Sequence, residues 1–156
     1  MREISSFEEL DEVMSNLHDC PFDLTRARFD AVAHTWTGVF LRPVWEDPRA
    51  EHTGWRLYGS TRLPVVEGTL TLTGVTEQFV NDEEGIDSYA FNMVERLSNG
   101  VRLRYCEHLS IDLRLAGSVS GTYGEKPLPG LVAVYRQRLL LQSGPQIEDA
   151  LTGAAV

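Results

Sequence analysis

The feature that most constrains this chain is a change of apolar period at Pro21. Before it, Phe7, Leu10, Val13, Met14 and Leu17 recur at helical spacing and share one face. Ser6, followed three residues later by Glu9, has the form of a capping box, and acidic residues crowd the first turn, where the helix dipole favours them. The spacing predicts an amphipathic helix over about 7–18, ending ahead of Pro21.

After Pro21 the period is two. Segments 22–30, 35–44, 54–63 and 69–80 read as strands rich in Thr, Val, Trp and Phe, and 86–97, 101–115 and 131–142 supply three more. Segment 117–130 holds four glycines and two prolines and reads as a loop, and the tail 143–156 as flexible with a short helix near 145–151. No βαβ alternation or repeat interrupts the series. The expected fold is therefore mainly β: an antiparallel barrel or sandwich of about seven strands with one N-terminal helix, the β part spanning about 22–142 of a single domain, 1–156.

Charge and apolar runs exclude several functions. A net charge of −9 argues against binding nucleic acid or anionic membranes, which are held mainly through Lys and Arg. No run approaches the roughly 18–20 apolar residues of a membrane span. The N-terminus lacks the apolar segment of a signal peptide, and two cysteines make no disulfide framework, so a soluble, cytoplasmic protein is expected.

One hairpin can be carried to register. Tyr89, Phe91, Met93 and Leu97 form one stripe, and Val101, Leu103, Tyr105, Leu109, Ile111 and Leu113 another. A three-residue loop, Ser98-Asn99-Gly100 with Gly100 left-handed, sets Leu97 against Val101, Met93 against Tyr105 and Tyr89 against Leu109, which keeps both stripes on one face. Glu95 and Glu107 then interrupt the apolar face, opposite Leu103 and Phe91. Buried carboxylates mark a polar pocket, a ligand cavity or an acid/base pair. The plainer reading is a β-bulge near Cys106 that turns Glu107 to solvent, with Glu95 at the rim.

The opposite face carries Arg96, Arg102, Arg104, Cys106, His108 and Arg114, with Arg96 directly across from Arg102. Like charges so placed call for anions: a phosphate, a carboxylate ligand, a partner's acidic surface, or the chain's own 23 acidic residues. Arg136 and Arg138 are candidates to extend the patch.

His18-Asp19-Cys20 and Cys106-Glu107-His108 each hold a His and a Cys two apart, but neither has a zinc-knuckle spacing, and two ordinary thiols and two surface histidines explain them. The acidic run 81–87 lacks the ligand spacing of a calcium loop and reads as a solvated turn. Trp36, Trp45, Trp55 and Tyr58 are either core or the lining of a pocket or interface hot spot, with core favoured.

No nucleophile elbow, P-loop, dinucleotide fingerprint or metal-binding helix motif occurs, and nothing calls for a metal or cofactor. The sequence favours a non-enzymatic β-domain that acts through a protein partner or self-association, with Arg96, Arg102 and Arg104 as its contact. The alternative is a small-molecule-binding β-barrel, an enzyme among the options, with Glu95 and Glu107 in its cavity.

Overall fold

The computed structural model describes residues 1–55, 58–86, 88–106, 108–138, 141–142 and 144–155. In chain order the elements are β1 (Arg2–Ile4), α1 (Phe7–Ser15), β2 (Pro21–Asp23), β3 (Arg28–Asp30), β4 (Thr35–Pro43), β5 (Glu51–Trp55) and β6 (Tyr58–Thr73). There follow β7 (Val75–Asp82), β8 (Ser88–Leu97), β9 (Gly100–Tyr105), β10 (Leu109–Leu115), β11 (Gly121–Arg138), β12 (Leu141–Gln142) and β13 (Gln146–Asp149). The protein is mainly β with one short helix, and the strands pair antiparallel among the described residues.

Thirteen strands, rather than about seven, are present among the described residues, and the sheet they form has two ends instead of closing into a barrel. The chain divides into two compact units, Met1–Phe40 with Gly68–Glu125, and Leu41–Glu67 with Lys126–Val156.

In the first unit α1 begins as its sequence demands. The Ser6 hydroxyl accepts from the Glu9 amide at 3.2 Å, and the Glu9 carboxylate accepts from the Ser5 amide and hydroxyl at 2.7 and 2.8 Å. The helix is shorter than expected, ending at Ser15 and passing into turns through Asp19. Leu10, Val13, Met14 and Leu17 are each no more than 2% exposed. Burying a Leu or Met of this kind contributes about 1.5–3 kcal/mol. They pack in the core with Phe22, Trp36, Phe40, Phe91, Tyr105 and Leu113.

The expected strand 22–30 is broken into β2, a 3-10 turn at Leu24–Arg26 and β3. Asp23 starts the turn by accepting from the Thr25 amide at 2.9 Å. Segment 101–115 is likewise two strands, β9 and β10, paired as a hairpin with Ser110 opposite Arg104. His108, in the left-handed region at φ 56°, lies in the reversal between them.

The hairpin of β8 and β9 has a different register from the one the apolar stripes predict. Leu97 opposes Gly100, so the loop is the two residues Ser98-Asn99. Gly100 is not left-handed; it is needed because the backbone of β10 passes so close that a Cβ would collide with the Leu113 carbonyl. The register then shifts at a bulge between Phe91 and Met93. Tyr89 and Phe91 are buried before the bulge and Val94 after it, while Met93 is exposed.

In the second unit Leu63, Val65, Ala133 and Ile147 form a smaller core, flanked by Leu41, Leu128, Leu131 and Tyr135. Two expectations fail around β11. It runs through three of the four glycines and both prolines of the predicted loop, with Pro127 and Pro129 at exposed positions. The tail forms β13 rather than a helix, pairing Gln146–Asp149 with Leu131–Val134. Part of the predicted strand 131–142 lies outside the described residues.

Candidate functional site

The second unit presents an aromatic hairpin. β5 and β6 pair in strict register, with His52 opposite Thr61, Thr53 opposite Ser60, Gly54 opposite Gly59 and Trp55 opposite Tyr58. Side-chain bonds hold the ladder: His52 Nδ1 lies 2.9 Å from the Thr61 hydroxyl, and the Thr53 and Ser60 hydroxyls lie 2.8 Å apart. Gly54 has a φ of 101°, which other residues rarely adopt, and a Cβ there would meet the Tyr58 carbonyl.

At the end of this ladder Trp55 is 79% and Tyr58 54% exposed. Trp45, 52% exposed, packs against Tyr135 with the rings tilted and their centroids 4.7 Å apart. A cleft of about 330 Å³ is lined by His52, Thr53, Trp55, Ser60, Thr61 and Tyr135. Of the four aromatics favoured as core, only Trp36 is core; the other three present large surfaces to solvent. Alternation in 54–63 does not reveal this, because an exposed strand and a half-buried one alternate alike.

The arginine face belongs to the first unit, and the new register changes its partners. Arg96 opposes Val101, not Arg102; Arg102 opposes Glu95, and Arg104 opposes Met93. Each cation finds an anion within the chain. Arg96 bonds Glu8 at 2.6 Å and stacks 4.4 Å over the Phe7 ring. Arg102 makes two bonds to Asp112 at 2.6 and 2.7 Å, and this raises its pKa further. Arg104 pairs with Glu95 at 3.3 Å, and Arg114 with Glu77 at 2.7 Å. Glu8 is held below the usual carboxylate range by a backbone amide and by Arg96. Arg136 sits in the second unit, bonded at 2.5 Å to the buried Glu148.

Glu95 accordingly lies half-buried beside Arg104, across from Arg102 and not from Leu103. Glu107, and the Asp87 of the acidic run, lie outside the described residues. Next to the bulge is a hollow of about 300 Å³, lined by Asn81, Glu83, Asn92, Arg104, Cys106 and His108 among others. His108 Nδ1 lies 3.4 Å from Glu84. The acidic turn is spent on its own backbone: Asp82 accepts from the Gly85 amide at 2.8 Å and from the Tyr89 hydroxyl, and its pKa is lowered, chiefly by Tyr89.

The sequence does carry one sign of the hollow. The buried positions 89, 91 and 94 break step at Asn92, but only the neighbouring apolar Val94 hints at it in the sequence, because the exposed Met93 continues the alternation.

Cys20 is a buried thiol and Cys106 an exposed one, and they flank β8 on either side: the Cys20 carbonyl accepts from the Phe91 amide, and the Cys106 amide donates to Ala90. Among the described residues no three His, Cys, Asp or Glu side chains gather as a metal-binding group. No helix among them is long and apolar enough to cross a membrane. Compared with known protein families, characterised proteins and solved structures, the chain matches none.

Proposed function

We propose that this chain is a non-enzymatic binding domain that acts through a protein partner or a second copy, and that the β5–β6 hairpin makes the contact. The observation that carries the reading is the exposure of Trp55, at 79%, beside an exposed Tyr58. Trp and Tyr are enriched in binding hot spots, where truncating one to alanine costs about 2–4 kcal/mol. The ladder beneath them is held by two side-chain bonds, so little ordering opposes their burial. Arg96, Arg102 and Arg104 rank second as a contact. An acidic partner would have to displace Glu8, Asp112 and Glu95 to reach them.

The test is a photo-crosslinking residue at Tyr58 in the full chain, with products identified by mass spectrometry. A defined cross-linked species is expected, and Trp55→Ala should cut its yield about tenfold or more, the equivalent of at least 1.4 kcal/mol. A yield no higher than from the same label at Val32, itself 93% exposed, would overturn the reading.

A second reading, a small-molecule site, is favoured by the hollow beside Asn92. There a guanidinium, an imidazole, a thiol and amide groups converge on about 300 Å³, a volume suited to a small polar ligand. Arg104 and His108 would be its ligand-binding side chains. Native mass spectrometry should then show a co-purifying mass that Arg104→Ala removes; bare protein in both would sink it.

A further inference from the structure

The sheet of the first unit ends very differently on its two sides. One end is β1, three residues long. The other is β7, eight residues long, which among the described residues pairs with β10 alone. Its pairing with β10 is regular from Glu77 to Asp82, the one irregularity falling beside Val75. Natural edge strands are usually kept from pairing by shortness, proline, unpaired charge (lysine above all) or a bulge. β1 is short. β7 has no proline, lysine or bulge over Glu77–Asp82, its two carboxylates are held by Arg114 and by the Tyr89 hydroxyl, and its Phe79 and Val80 are 51% and 45% exposed.

The charge along this edge argues for the occupant. From Thr76 to Asn81 the only ionisable side chain is Glu77, and Arg114 neutralises it at 2.7 Å. The middle of the edge is thus near neutral on a chain whose net charge is −9, with the Asp82 carboxylate at its end opposite Thr76 in the register below, so a second copy can approach it without setting like charges against one another.

Symmetry narrows the register. A two-fold axis normal to the sheet keeps each residue on its own face, so opposed residue numbers must sum to an even value. Centring the axis on Phe79 sets Phe79 against Phe79 of the second copy, Glu77 against Asn81 and Gln78 against Val80. No like charges then face one another. Centring it on Val80 instead opposes Glu77 with Glu83. In the Phe79 register each ring keeps its own Arg114 guanidinium, 5.1 Å from the centroid, and gains an aromatic neighbour.

We infer that β7 is a self-recognition edge: two copies of this chain join antiparallel through β7, with Phe79 at the two-fold axis. This contact is independent of the aromatic hairpin of the second unit. It is a small interface, so a transient dimer is expected.

The test is sedimentation equilibrium of the full chain over a wide concentration range, with native mass spectrometry. The wild-type protein should pass from one chain mass to two. Phe79→Lys places two cations on the axis and should weaken the dimer at least about tenfold. Asn81→Lys supplies Glu77 of the other copy with a cation, twice per dimer, and should tighten it in a salt-sensitive way. Val32→Lys, the same charge change at an exposed turn, should do neither. A wild-type protein that stays monomeric overturns the inference, as does a dimer indifferent to the lysine at 79 or at 81. A dimer lost instead with Trp55→Ala places self-association on the hairpin and overturns β7 alone.

Discussion

Replacing Tyr105 with phenylalanine should stabilise this protein. The ring is packed among Phe22, Phe91 and Tyr89, with centroids 4.6, 5.5 and 6.4 Å away. Its hydroxyl is buried and has no hydrogen-bond partner among the described residues. A buried hydroxyl left unpaired costs about 1–3 kcal/mol. Removing the oxygen leaves a void of roughly 10–15 Å³, which costs only about 0.3 kcal/mol. The net gain is therefore about 1–2 kcal/mol, or roughly 2–8 °C in Tm for a chain of this length. Urea titration should show a higher midpoint with an unchanged slope. The alkaline limb carries the same signature. Burial pushes the Tyr105 phenol well above its ordinary value of 10.0. Its contribution is fully present below the unfolded value and is lost as pH rises toward the folded one. The variant should lose stability less steeply above about pH 10, with Tyr89, raised by burial and by Asp82, supplying what remains. A loss of more than about 1 kcal/mol on making Tyr105→Phe would refute the reasoning, because it would mean the hydroxyl is paired in the folded protein.

Gly100→Ala should cost about 2–4 kcal/mol in a denaturant titration, because the new methyl meets the Leu113 carbonyl and not a movable side chain; a near-neutral result would contradict that packing. Ser6→Ala should cost about 1 kcal/mol with some loss of helical dichroism, and no change in either would mean that the cap is not formed in solution. A double-mutant cycle of Arg102→Met and Asp112→Asn should give a coupling of about 0.5–1 kcal/mol, modest because both groups keep some solvent, and smaller in high salt. Acidification should destabilise the protein. Asp47 is held at about 2 by the Arg49 side chain and amide, and Glu9, Asp30 and Asp149 are also lowered, mainly by backbone amides. Stability from these groups is present above their unfolded values and lost as pH falls through the folded ones, so Tm should drop from about pH 4.5 down to about 2; a flat profile would be inconsistent.

What was legible in the sequence followed from local chemistry. Ser6, Glu9 and the stripe from Leu10 to Leu17 specify the helix start and its buried face without reference to any other element. Strand 35–44 is nearly right for the same reason, since Trp36 and Phe40 mark one face of a continuous strand. What was not legible depended on pairing. Nothing local says that the glycine- and proline-rich stretch before Leu131 is extended; partners do, β1 against Tyr123 at one end and β13 against Ala133 at the other. The tail residues Ile147 and Glu148 are a strand because β11 offers them an edge. The exposure of Trp55 is likewise beyond any periodicity, because both faces of a thin hairpin alternate in the same way.

The β8–β9 hairpin separates two kinds of inference that a sequence supports. Counting apolar stripes selects the three-residue loop, because it assumes alternation runs unbroken through Asn92. Counting charges selects the two-residue loop: the first register sets Arg96 against Arg102, whereas a slip of one residue sets Glu95 against Arg102 and frees Arg96 to reach Glu8. The like-charge pair was thus evidence against its own register before it was evidence for a bound anion. The same slip moves Glu95 off the apolar face, so the buried carboxylate and the unbalanced arginines are one error in register seen from two sides. Where a strand register produces a costly pair on each face at once, the lower-energy explanation is a bulge, and here Asn92 provides it.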